Sequence, residues 1–111
     1  MANNFKNYVL KAVGTSAQNA YSAAAGVQAT VIGMTIANIT QSPISANVML
    51  TCAGAAAPNV YLVQQATIAP GGSLVPVGGD QKLVIEAGDA LQVNTSVASS
   101  GDVIVSVLEI S

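Results

Sequence analysis

Histidine, arginine and tryptophan are absent from this chain, and cysteine occurs once, at position 52. Each absence excludes a chemistry. A serine nucleophile is ordinarily activated by a histidine base, and here there is none. Zinc and redox metals are held by clusters of histidine or cysteine, which one cysteine cannot form. The same residue cannot close an internal disulfide, so Cys52 reads as a small buried hydrophobe in a strand. The glycine-rich stretch GGSLVPVGGDQK lacks the helix that must follow a phosphate-cradling loop. Asp80, Glu86, Asp89 and Asp102 could supply paired carboxylates or a Ca²⁺ site. They neighbour glycines or polar turn residues, however, where an acid is ordinarily a solvated turn former. The chain is therefore expected to be no enzyme and to hold no cofactor or metal.

Charge is also scarce. Only 7% of residues are charged, against about 25% in an average soluble domain. From Ala12 to Gly79 there is no charge at all. The basic residues number 3, all lysine, too few to build the stripe that displaces counterions from phosphate, which excludes nucleic acid. No apolar run approaches the roughly 18 residues of a membrane span, so no membrane partner is expected. The first residues, MANNFKNYVLKAVG, contain no continuous apolar stretch and read as no export signal. A small soluble surface is usually about 25–35% charged. A neutral one has two readings: a Ser, Thr, Asn and Gln surface that water still wets well, or a protein that keeps much of its surface against neighbours, and the second is the one expected here.

At 51% hydrophobic over 111 residues, the chain can build one independent core. Its polar residues are Ser, Thr, Asn, Gln and Gly, suited to strands and turns rather than helices. Residues 1–11 read as an arm leading into the first strand, with Phe5, Tyr8 and Leu10 as its large apolar groups. AYSAAAG is compatible with a short strand or one helical turn. From Ala29 the period of two predicts Thr30, Ile32, Met34 and Ile36 on one face, and Val31, Gly33, Thr35 and Ala37 on the other. Strands follow at Ile44–Thr51, with Val48 and Leu50 inward, and at Val60–Gln65, with Tyr61 and Val63 sharing a face. Pro76 marks an edge strand or bulge, because it cannot donate to a ladder. Gly78, Gly79 and Asp80 form a tight turn. Val103–Ile110 is apolar at nearly every position, which predicts burial on both faces and makes Leu108 a keystone of the core. About eight strands at 8–12-residue spacing imply a single all-β domain, residues 1–111, folded as an antiparallel β-sandwich or jelly roll with an N-terminal arm.

The segments ATVIGMTIANIT, GGSLVPVGGDQKLVIEAGDALQV and SVLEI together resemble a group of small tailed-phage virion proteins. The resemblance spans about Ala29 to Ile110. Among such proteins the size and all-β character look most like the decoration, or cement, subunits of short-tailed phage heads. The resemblance implies a structural protein made in the host cytoplasm and bound to the virion's capsid surface. Its partners would be the major capsid protein and further copies of itself, as a homodimer or other homo-oligomer. Asn3, Phe5, Lys6, Tyr8 and Leu10 are then candidate contacts of the arm, and Gly78, Gly79 and Asp80 of a loop. The alternative is a tail, neck or fibre component that binds a receptor or glycan, although a chain with one Phe, three Tyr and no Trp offers few aromatic platforms for sugars.

Overall fold

A computed structural model describes residues 3–51, 59–78 and 82–110. Among them there are nine strands and no helix: β1 (Asn3–Val13), β2 (Gln18–Ser22), β3 (Gln28–Asn38), β4 (Ile44–Thr51), β5 (Val60–Ile68), β6 (Ser73–Val77), β7 (Leu83–Ile85), β8 (Ala90–Thr95) and β9 (Gly101–Ile110). The pairs nest. β4 pairs with β5, β3 with β6 and β7, β2 with β8, and β1 with β9, all antiparallel. This is one long ribbon folded at β4–β5 and then rolled up, closed by the pairs β3·β9 and β4·β8. The result is a jelly roll of two facing sheets, β1-β9-β3-β6 with β7 also on β3, and β2-β8-β4-β5. We call them the front and back sheets.

The core lies between the sheets and is built of small and β-branched side chains. Val31, Met34, Ile36, Val48, Leu91, Val93, Val105 and Val107 are almost wholly excluded from water. The alternation of β4 holds, with Ile44, Ala46 and Val48 buried and Leu50 packed at the core's margin. β6 ends the front sheet, so Pro76 sits on an edge as its missing N–H requires. The alanine-rich AYSAAAG resolves into the end of β2 followed by a turn at Gly26, whose φ is +77°.

Four expectations are corrected. The residues read as an arm leading into the first strand are themselves strand from Asn3 onward, paired residue by residue with β9 from Asn3↔Ile110 to Leu10↔Val103. The strict period of two in β3 breaks at a bulge between Val31 and Gly33, which puts Val31, Met34 and Ile36 on the inner face and turns Ile32 outward. On β5 Tyr61 is exposed while Val63 packs on the core, and the strand bulges near Gln65, whose φ is +54°. β9 is buried on one face only: Val103, Val105 and Val107 point inward, Ile104 is 44% exposed and Leu108 is half-buried. Leu108 is thus no keystone. Cys52, Gly79 and Asp80 lie outside the described residues.

Candidate binding face

The two outer surfaces of the sandwich differ in chemistry. On the back sheet Ser45, Asn47, Thr67, Gln92 and Asn94 alternate with core residues, and Val60 and Tyr61 are exposed at the start of β5. Several are tied to one another or to backbone, as in Gln92 Nε2–H to Asn19 Oδ1 at 3.0 Å and Gln65 N–H to Asn47 Oδ1 at 2.7 Å. The front sheet instead presents apolar rows. Register places Phe5, Leu108, Thr30 and Val84 side by side across four strands, and Val9, Ile104 and Thr35 across three. Between these rows run Asn7, Ser106 and Gly33. Phe5 is 77% exposed, Val9 68% and Val84 59%. Ile32 and Val75 add to the same surface.

Two shallow depressions mark this face. One, of about 290 Å³, is lined chiefly by Val9, Leu10, Thr35, Ala37 and Ile104. The other, of about 270 Å³, lies among Phe5, Asn7, Ile32 and Ser106. The charges on the front rows belong to Lys11 and Asp102, and they pair at 3.3 Å at one end. Asp102 also accepts the Ala12 amide at 2.9 Å, where β1 bulges with φ +54°. That amide, more than the lysine, holds the Asp102 carboxyl below its usual range. The centre of the face is neutral.

The candidate arm residues divide between the two faces of β1. Phe5 points outward onto the apolar rows. Lys6, Tyr8 and Leu10 point inward, Leu10 onto the core, the other two onto Glu109 of β9. Glu109 accepts the Tyr21 hydroxyl at 2.6 Å and the Tyr8 hydroxyl at 3.2 Å, and pairs with the Lys6 ammonium at 3.1 Å. The two phenol rings meet edge to face with centroids 5.0 Å apart. Tyr21 belongs to β2, so this cluster joins the front and back sheets at one end of the sandwich. The Tyr21 hydrogen bond, then Lys6, draws the Glu109 carboxyl below its usual value. Burial, reinforced by the carboxylate, pushes the Tyr21 hydroxyl well up.

Asn3 begins β1 opposite Ile110. Gly78 follows β6 directly, where a Cβ would approach Val75 Cγ1 to 3.0 Å. The acids are not simply solvated turn formers: Asp89 is 9% exposed, and Asp102 caps a bulge. Among the described residues no three carboxylates or thiols converge as metal ligands. Val9 was not singled out from sequence, and Ile32, Ile104 and Leu108 were read as strand or core residues rather than as parts of a binding surface. Their signal was the apolar residue at both parities of Val103–Ile110, which a half-exposed binding strand produces as readily as a doubly buried one. No family model, curated protein or solved structure matches the chain.

Proposed function

We propose that this chain is a structural binding protein that coats another protein's surface through its front sheet, and that the surface is a phage capsid. The observation that carries the reading is the contrast of the two outer faces: neutral apolar rows across the front sheet, and on the back mainly amides and hydroxyls, with Val60 and Tyr61 exposed at the start of β5. Contiguous exposed apolar surface on a small protein marks an interaction site. Interface centres are depleted in charge and enriched in aromatic anchors, and Phe5 supplies one. A rigid jelly roll with no mobile chemistry suits permanent reinforcement, and no chemical step is involved. The capsid as partner rests on the resemblance of ATVIGMTIANIT, GGDQK and SVLEI to virion decoration proteins. A glycan-binding role has less support, because the exposed aromatics Phe5 and Tyr61 lie on strands of different sheets and form no common platform.

The test is stoichiometry. Quantitative protein staining of purified particles should give this chain in a copy number comparable to that of the major capsid protein. A few copies per particle would overturn the reading in favour of a tail, neck or fibre component.

A further inference from the structure

β1 is an unusual edge. On one side it pairs with β9 along its length, and no described strand pairs with the other. Native edges are normally blunted by proline, bulges, charges or brevity. β1 is 11 residues long, has no proline, and its register stays regular until the shift between Leu10 and Val13. Lys6, the one charge within that regular stretch, is already paired with Glu109. Phe5 and Val9 stand exposed beside the open edge.

The order of residues along this edge is self-complementary. A two-fold axis at Asn7 sets Phe5 opposite Val9 twice, Lys6 opposite Tyr8 twice, Asn4 opposite Leu10 twice, and Asn7 opposite its own copy. Aromatic and β-branched side chains directly opposite one another stabilise antiparallel strands. Shifting the axis by one residue spoils the match. An axis at Lys6 opposes two lysines, which is destabilising. An axis at Tyr8 sets Lys11 against Phe5 and Asn7 against Val9. An axis between residues pairs the outer face of one copy with the inner face of the other.

We propose that two copies of this chain associate through antiparallel pairing of β1 about Asn7, fusing their front sheets into one continuous sheet. The occupant of the open edge is a second copy, because the chain's own pattern supplies the complementary row. The proposal is independent of what the front face binds, since edge pairing leaves Ile32, Ile104 and Val84 uncovered.

The experiment uses the full chain with Cys52→Ser as background. Light scattering after gel filtration should give twice the chain mass of 11.0 kDa. Asn7→Cys should form a disulfide-linked dimer under mild oxidation, because facing Cα atoms lie roughly 4.5–5.5 Å apart, within disulfide reach. Lys11→Cys should not, as its copies would stand about 27 Å apart along the strands. Phe5→Lys, at an exposed site, should shift the protein to monomer with its thermal midpoint preserved. A monomeric parent, a dimer in which Asn7→Cys fails to cross-link, or equal cross-linking from both positions would each overturn the proposal.

Discussion

Replacing Glu109 with alanine should destabilise the fold more than any other change to a side chain that is not fully buried. The carboxylate receives a short bond of 2.6 Å from Tyr21, a residue only 3% exposed. A hydrogen bond to a charged group contributes about 1.5–3 kcal/mol, and a buried donor left unmatched adds to the loss. The Tyr8 bond is longer, at 3.2 Å and half-buried, and should contribute about 0.5 kcal/mol. Lys6 is half exposed, so solvent screens its ion pair and it adds little. Together these give about 3 kcal/mol, or a fall of roughly 12 °C in midpoint at about 4 °C per kcal/mol. Tyr21→Phe removes one donor while Glu109 keeps two partners, and should cost about 1.5 kcal/mol. The double variant should then be no worse than Glu109→Ala alone, because the cycle exposes a shared interaction. Urea and thermal melts followed by far-ultraviolet circular dichroism read all of these. A Glu109→Ala variant within about 0.5 kcal/mol of the parent, or strictly additive single effects, would show that the cluster does not join the two sheets.

The pH dependence follows from the same groups. Glu109 and Asp102 are held below their usual values, so their stabilisation is complete above about pH 4.5 and is lost as pH falls through the depressed values. Tyr21 is raised above 10.0, so its contribution is complete below that pH and is lost as pH rises further. Urea midpoints should therefore be flat from about pH 5.5 to 9, and Glu109→Gln should shrink the acid limb; an unchanged limb would refute the assignment. In the core, Leu91→Ala should cost about 2–5 kcal/mol, whereas Leu108→Ala, half-buried on the front face, should cost about 1 kcal/mol. Denaturant melts that reverse this order would make Leu108, and not only the inner face of β9, part of the core.

The layered all-β architecture was legible because residues alternate and turns are punctuated by glycine, proline and asparagine. The faces were harder. In β3 one bulged residue reverses the assignment of every side chain on one side of it, and nothing in TVIGMT marks the bulge except the glycine within it. In Val103–Ile110 the apolar outer row mimics a doubly buried strand, because hydrophobicity alone does not distinguish core from docking surface. Phe5 was legible as an anchor, but its neighbours Ile104 and Ile32 become one surface with it only through pairings that span the length of the chain. The Glu109 cluster was illegible for the same reason, since Lys6, Tyr8 and Tyr21 meet Glu109 across about a hundred residues.

The central proposal, that the front sheet docks on a phage capsid, is tested most directly by titrating heads that lack this chain with single-site variants. Ile32→Lys and Ile104→Lys place a charge on the apolar rows at positions exposed enough to accept it. Thr67→Lys places the same charge on the exposed surface of the back sheet. Each front variant should bind at least about tenfold more weakly with an unchanged thermal midpoint, while Thr67→Lys binds like the parent. Parental affinity in both front variants, or loss of binding confined to Thr67→Lys, would contradict the account.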